Sequence, residues 1–278
     1  MHALVNLVAR LCPALARIAP GELLLPDRLL EKADNTSLWD ELRDTLTPLP
    51  ASRFDSTNAE TRLIETYGVA TLEAFGAPSR AEIAAAGALF DYLALTQVDR
   101  MPRLAGPRRL PSPGKPNAVM EIDAATRRNL ELAQTLSGER KGSLLSVIDR
   151  TITGPGARLL AERLAAPLTD VEAIEARLDA VAFLADRVAA REDVRGILRT
   201  APDMERALSR LALGRGGPRD LAAIRAGLEA ARVLHEILTA MNGLPVPLDA
   251  VAAALGEHDP LVARLAAALS PNLPLAVR

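Results

Sequence analysis

Apolar residues recur at helical spacing over most of this chain, whereas short apolar runs ended by proline are found in its first part. Residues 22–26 predict a buried strand, and residues 49–54 are a poorer candidate for a second strand. An amphipathic helix is predicted over residues 3–18. From Ser79 the helical spacing continues to about Val98, which is long enough for a helix that packs one face.

Several helix starts are marked by Ser or Thr followed three residues later by Glu. In this capping-box pattern the two side chains satisfy backbone amides of the first turn. Three such pairs predict three helix starts: Thr57 with Glu60, Ser79 with Glu82, and Thr169 with Glu172. Gly68 is expected to close the first of these helices, because glycine readily adopts the left-handed conformation that ends a helix.

A proline-rich segment separates two parts of the chain. Five prolines occupy fifteen positions from Pro102 to Pro116, and their missing amide donors and fixed φ exclude a continuous helix. We therefore place a domain boundary here, with one domain over residues 1–112 and another over residues 113–278.

The second part is predicted to be helical almost throughout. A short extended piece at residues 118–122 leads into a helix that Asp123 caps and that ends near Gly138. Further helices are predicted at residues 143–149, 153–164, 169–188, 203–213, 218–241, 248–255 and 260–269. No fixed-period repeat is found, so a solenoid is not indicated.

Composition agrees with a mainly helical fold. Hydrophobic residues make up 49% of the chain and aromatic residues only 3%, so Ala, Leu, Val and Ile must fill the core.

The formal net charge is -2, and bulk charge alone would not hold duplex DNA. The single Cys12 cannot form an internal disulfide, which fits a reducing cytoplasm. Residues 3–18 are too short and too interrupted to span a membrane.

Candidate chemistry is sparse. His2, His235 and His258 stand far apart without the neighbouring ligands that zinc or iron sites favour. No serine lies in the strained G-x-S-x-G turn of a hydrolase. Arg108 and Arg109 belong to a basic run in the proline-rich segment that could touch phosphates, but without interleaved aromatic residues a solvated linker is the favoured interpretation.

Three segments after the proline-rich segment carry a family resemblance. They are residues 123–132 (DAATRRNLEL), 142–160 (GSLLSVIDRTITGPGARLL) and 203–213 (DMERALSRLAL). In this order they resemble the start of the core domain of the MutS family of DNA mismatch-recognition proteins. Residues 19–26 (APGELLLP) and 86–97 (AGALFDYLALTQ) resemble the later part of the family's connector domain.

The resemblance implies a mainly α fold, with a helical core or lever domain preceded by a small α/β connector-like portion. Proteins of this family bind mismatched duplex DNA, use ATP with magnesium and act as homodimers. The segments present here would join mismatch sensing to the ATPase by transmitting helix movements. The resemblance also implies structural roles for a set of motif residues: Asp123, Arg127, Arg128, Asp203, Glu205 and Arg206.

Departures from the family pattern limit what this chain is expected to do. The family's mismatch reader carries a Phe-x-Glu motif, and no phenylalanine here has Glu two positions later. The family's ATPase carries a G-x-x-x-x-G-K-[ST] loop, and the nearest segment, residues 138–143 (GERKGS), has the wrong glycine spacing. The chain also stops about where the family's lever helices pass into the clamp over DNA.

We therefore expect a fragment that is not itself an enzyme, holds no cofactor, and binds DNA weakly or not at all alone. No membrane partner is expected. A stand-alone helical scaffold, which would bind a protein partner through an exposed apolar face, is the alternative. An unrecognised enzyme ranks last, because it would need a pocket of convergent carboxylates with perturbed pKa values.

Overall fold

The computed structural model describes residues 11, 13–31, 39, 42–97, 101, 104, 106 and 119–270. The chain divides into two compact units, which are described separately. The smaller unit is Ile18–Leu110, and the larger unit combines Met1–Arg17 with Pro111–Arg278. The boundary at residue 112 stays a prediction, and most of the proline-rich segment lies outside the described residues.

Two parallel strands and two helices form the smaller unit. Strand β1 (Leu23–Pro26) pairs with β2 (Leu46–Leu49), so that Leu23 lies opposite Leu46 and Pro26 opposite Leu49. Helices α1 (Ser56–Tyr67) and α2 (Arg80–Thr96) follow. Short 3-10 turns complete the unit at Asp27–Leu29, Arg43–Thr45, Ala51–Phe54 and Leu72–Phe75.

The core of the smaller unit lies between α1 and α2, which approach closely at Ala59 and Gly87. A methyl group at Gly87 would overlap the Ala59 side chain and reach within 2.8 Å of its Cα atom, so only glycine fits this crossing. Around it the Tyr67 ring lies 5.0 Å from Phe75 and 5.7 Å from Phe90, both in tilted or edge-on geometry. Further buried residues of this core are Leu63, Leu72 and Ile83.

Helices make up most of the larger unit. Residues 13–17 of this unit are helical, while residues 3–10 and Cys12 of the predicted opening helix lie outside the described residues. The helices that follow are α3 (Ala124–Asn129), α4 (Leu144–Ile148), α5 (Gly154–Ala165), α6 (Val171–Asp186), α7 (Val188–Thr200), α8 (Met204–Ala212), α9 (Pro218–Thr239), α10 (Val246–Leu255) and α11 (Asp259–Ala268).

Helix α9 is the centre of the larger unit, and α7, α8, α10 and α11 all pack against it. Small side chains allow this approach, since Gly227 faces Met204 of α8 in direct contact. Ala230 and Ala231 are buried on the same helix. His235 donates a hydrogen bond from Nδ1 to the carbonyl of Ala252 at 2.8 Å, which ties α9 to α10.

Most of the predicted elements are confirmed. The first strand, the Ser79–Glu82 capping box and the closure of α1 at Gly68 are all observed. Val119 bridges Leu168 in antiparallel fashion, which confirms an extended piece before α3. The mainly α fold with a small α/β portion is therefore confirmed as well.

Two predictions in the smaller unit were wrong. The second strand lies at Leu46–Leu49, earlier than predicted, because Pro50 has no amide to donate and the chain turns directly after it. Pro48 is tolerated within it because β2 pairs only with β1 among the described residues. Helix α1 is capped by Asp55, which accepts from the Asn58 amide at 2.8 Å, and not by Thr57.

Three predictions in the larger unit were also wrong. Helix α3 ends at Asn129 instead of continuing to residue 138, because Glu131 adopts a left-handed φ of 47°. Helix α6 has Asp170 at its cap, one residue after the predicted Thr169. Helix α7 was missed, because only Arg187 separates it from α6 and no Gly or Pro marks the break.

Gly87→Ala should destabilise the chain by about 1–3 kcal/mol, because the added methyl group forces α1 and α2 apart. This loss must exceed the gain of about 1 kcal/mol that alanine gives in a helix interior. Urea unfolding followed by circular dichroism measures it. Gly196→Ala in α7 is the matched control, since no described atom lies within 4 Å of the added methyl group, and it should stabilise. Equal effects of the two substitutions would contradict the close-packing account.

Candidate functional site

The candidate site forms where the first turn of α5 meets the first turn of α8. Helix α5 starts at Thr153, whose side chain accepts from the Gly156 amide at 3.0 Å, and Pro155 presets the backbone of the first turn. Arg158 follows one turn later on the exposed surface. The local sequence therefore places the Arg158 guanidinium group about one turn after the start of α5.

Two carboxylates meet this guanidinium group from α8. Asp203 is the N-cap of α8 and accepts from the Arg206 amide at 3.2 Å. Glu205 lies in the first turn, where a negative charge interacts favourably with the helix dipole. Both acidic residues are thus at positions that helix formation itself favours.

Arg158 bridges both carboxylates. Its Nη1 lies 2.9 Å from Oδ2 of Asp203, and its Nη2 lies 3.3 Å from Oδ1 of Asp203 and 2.8 Å from Oε2 of Glu205. Charge-assisted bonds in this forked geometry are stronger and more directional than neutral ones. We call Arg158, Asp203 and Glu205 the Arg158 joint.

The joint changes the pKa values of Arg158 and Asp203. The hydrogen bonds that Arg158 donates to Asp203 and Glu205 raise the pKa of its guanidinium above the ordinary value. The hydrogen bond from Arg158 lowers the pKa of Asp203, and the Arg206 amide adds to this. Both shifts favour the charged forms of Arg158 and Asp203.

The predicted pair of Asp203 and Arg206 is looser than this joint. The Nε atom of Arg206 lies 3.9 Å from Oδ2 of Asp203, and its side chain is 79% exposed. An exposed pair at this distance contributes little to stability. The stronger partner of Asp203 is Arg158.

A second ion pair continues from α8 to α9. Nη2 of Arg210, near the end of α8, lies 3.4 Å from Oδ2 of Asp220. Asp220 is buried and also accepts from the Gly217 amide at 2.9 Å, which closes the first turn of α9. Sequence reasoning did not assign roles to Arg158, Arg210 or Asp220, although acidic Asp220 three residues after Gly217 was a usable capping signal.

The other motif residues lie in or beside α3 and bond locally. Asp123 caps α3 by accepting from the amide and hydroxyl of Thr126 at 2.9 and 2.7 Å, which lowers the pKa of Asp123. Arg127 is half-buried, donates from Nε to the Ile122 carbonyl at 3.0 Å, and has its pKa lowered by burial. Arg128 is exposed. The motif thus splits into a group around α3 and a group at the Arg158 joint.

The remaining candidates are placed as follows. Arg108 and Arg109 lie outside the described residues. The segment nearest to a nucleotide loop ends in Ser143, whose hydroxyl donates to the Arg140 carbonyl at 2.7 Å and accepts from the Ser146 amide at 3.3 Å.

Within the described residues, no group of three or more His, Cys, Asp or Glu could hold a metal ion. No helix in the described part of the chain has the length and apolar character needed to cross a bilayer.

A polar cavity of about 460 Å³ in the smaller unit is lined by several charged residues, which an unrecognised enzyme would need. Asp91, a half-buried carboxylate of this lining, is held by ion pairs with Arg53 and with Arg62, the latter at 3.3 Å. Arg62 also donates to the Gly87 carbonyl at 3.2 Å. These bonds explain Asp91 as a structural residue that ties α2 to α1.

A small α/β unit and a helical unit built around one long helix define a connector domain with a helical core domain. Comparison with protein families agrees, since residues 125–274 match the model of MutS domain III and residues 2–105 match MutS domain II. The domain III match alone spans more than half of the chain. The chain belongs to the MutS family.

Individual relatives named "DNA mismatch repair protein MutS" support this assignment. The protein of Nitrobacter winogradskyi is 50% identical over 272 residues, which is 96% of this chain and 30% of that protein. The protein of Rhizobium meliloti is 50% identical over 273 residues, or 97% of this chain and 29% of that protein. The protein of Roseobacter denitrificans is 46% identical over 279 residues, or 100% of this chain and 31% of that protein. The chain spans about 30% of the length of these relatives.

The Asp203→Asn variant should be less stable than the unchanged chain at pH 7. Asn can still cap α8, but it cannot pair with the charge of Arg158. Because the folded pKa of Asp203 is lowered, its contribution is present above the unfolded pKa of about 3.9 and is lost as pH falls below it. The difference in Tm between the two proteins should therefore shrink from pH 7 to pH 3.

Thermal unfolding followed by circular dichroism over this pH range makes the measurement. Glu236→Gln serves as the control, since Glu236 forms an exposed pair with Arg232 within α9. A Tm difference for Asp203→Asn that stays constant down to pH 3 would show that the ion pair is not its cause.

Proposed function

We propose that this chain is the connector and core segment of a longer MutS-family DNA mismatch repair protein, and that it couples mismatch binding to ATP hydrolysis. The observation that carries the proposal is the series of ion pairs from α5 through α8 to α9. Arg158 joins α5 to the start of α8, and Arg210 joins the end of α8 to Asp220 of α9.

The packing of α9 supports a mechanical role. This helix has 22 residues, which corresponds to a rod of about 33 Å. Its first turn is fixed by Asp220, while its sides pack against four other helices. A displacement of α5 relative to α8 would therefore pass to α9 through charged contacts at defined points. Coupling between distant sites requires such a physical connection between elements.

The partners follow from the same proposal. In the longer protein, other domains would recognise the mismatch in duplex DNA and bind ATP and magnesium, and two copies would act as a homodimer in the cytoplasm. This segment would perform no bond chemistry. The motif residues Asp123, Arg127 and Arg128 would hold the start of the core domain, with its boundary near residue 112.

A stand-alone scaffold is the second candidate, and one surface favours it. Val171, Leu178 and Val181 lie on one face of α6 and are 64%, 60% and 65% exposed. A partner helix could cover this apolar face. In the coupling proposal the same face would meet another part of the longer protein.

Arg158→Gln tests the coupling proposal in the full-length protein that carries this segment. The measurement is steady-state ATP turnover with a G·T duplex and with a matched duplex. The ratio between the two rates should fall by about fivefold or more, the range expected when a coupling free energy of about 1 kcal/mol or more is lost. Turnover without DNA should stay within about twofold, because the substitution acts on transmission.

Arg232→Gln is the matched control, since it removes one exposed arginine from α9 without touching the Arg158 joint. It should leave the ratio unchanged. If Arg158→Gln keeps the full response to the mismatch, the series of ion pairs does not transmit the signal.

A further inference from the structure

Three arginines recur at four-residue intervals along α7. Arg187 is the N-cap residue, and Arg191 and Arg195 follow within the helix. Residues four apart in a helix are neighbours on one face, about 6 Å apart along the axis. We call Arg187, Arg191 and Arg195 the arginine stripe.

Main-chain carbonyls hold all three guanidinium groups. Arg187 donates to the Phe183 carbonyl at 3.3 Å and lies 3.7 Å above the centre of the Phe183 ring. Arg191 donates to the carbonyls of Leu184 and Ala185 at 3.1 and 2.9 Å.

Arg195 is held in the same manner at the other end of the stripe. Its Nη1 and Nη2 both donate to the Arg150 carbonyl at 3.3 Å. The three side chains are therefore positioned in advance, and each keeps further donors that these bonds do not use.

The charges of the stripe are not matched by acidic partners. Among the residues that the structure describes, no carboxylate forms an ion pair with any member of the stripe. The carbonyls at the end of α6 carry only the partial charge of a helix C-terminus.

Exposed Asp186 directly precedes Arg187, but among the described residues it forms no ion pair with the stripe. Three other acidic residues near the stripe are paired with other residues or lie on another side of the helix. Glu192 lies 3.8 Å from Arg199, the next arginine along α7. Asp193 falls on the opposite side of the helix by its spacing. Asp149, beside Arg150, accepts from Thr151 and pairs with Arg140 at 3.1 Å.

We propose that the arginine stripe contacts the phosphodiester backbone of duplex nucleic acid. From Arg187 to Arg195 the stripe covers about 12 Å of helix with one arginine about every 6 Å, so it can meet up to three successive phosphates of one strand. The planar fork of arginine suits phosphate oxygens. Such contacts position a duplex without reading its sequence.

This surface goes beyond the coupling role and does not rest on it. The net charge of the chain is -2, so a duplex would be attracted only locally, at the stripe. Binding should be weak, dependent on salt and indifferent to mismatches.

Fluorescence anisotropy with the 278-residue chain tests the proposal, using a labelled matched duplex and the same duplex with one G·T pair. Between about 50 and 200 mM salt, log K should fall with log salt with a slope of about -3, as for three phosphate contacts. The two duplexes should bind equally. Arg187→Gln/Arg191→Gln/Arg195→Gln should weaken binding about tenfold, while glutamine keeps an amide donor for the carbonyls.

Two further triple variants separate the stripe from overall charge and from folding. Substitution of the same three arginines by lysine should keep binding within about threefold, because the charges remain. Glutamine at the exposed Arg206, Arg219 and Arg232 removes the same net charge elsewhere on the larger unit and should have little effect. Each single glutamine variant of the stripe should lose about twofold, which keeps the test valid if the triple variant unfolds.

The proposal is overturned if the unchanged chain does not bind duplex at about 50 mM salt. It is also overturned if the Arg206/Arg219/Arg232 variant loses as much affinity as the stripe variant, since overall charge would then be the cause. Either outcome leaves the coupling proposal intact, because that proposal is measured by ATP turnover in the full-length protein.

Discussion

The close approach of helices to α9 is the constraint on which the larger unit depends. Ala230 and Ala231 of α9 and Ala252 of α10 are buried, and Gly227 leaves room for Met204 of α8. With aromatic residues at only 3% of the chain, the core gains stability from many short contacts between small aliphatic side chains. A dense interior of this kind has little room to absorb a displacement.

Charged contacts add connections between helices at defined points around this packing. Arg158, Asp203 and Glu205 connect α5 with the first turn of α8, and Arg210 with Asp220 connects α8 with the first turn of α9. Each acidic residue lies at a helix start, where it would be favoured even without its arginine. These acidic residues therefore have two roles. They stabilise the starts of their own helices, and their ion pairs connect those helices to others.

The fold class and most elements could be predicted from the sequence because local signals mark them. Ser79 with Glu82 predicted a capping box, and Gly217 with Pro218 predicted the start of α9. The errors occurred where local signals compete or are missing. Helix α1 is capped by Asp55 and not by Thr57, the cap predicted from the sequence. The break between α6 and α7 falls at Arg187, where no glycine or proline marks it.

Only part of the candidate site was predictable. Motif residues Asp203 and Glu205 were identified through the family resemblance, but their partner Arg158 lies 45 residues earlier in the sequence than Asp203. No periodicity or capping pattern pairs residues at that separation. Arg158 is brought to Asp203 only because the first turns of α5 and α8 meet in the fold. Arg210 and Asp220 meet because α8 packs against α9.

The central claim is that this chain works as a connecting segment within a longer MutS-family protein. The most direct test is the mass of the native protein in its source cells, detected with an antibody against residues 123–213. Dividing the 29.6 kDa of this chain by its 30% share of the relatives gives an expected band near about 100 kDa. A single band at 29.6 kDa would contradict the claim and would make the stand-alone scaffold the better account.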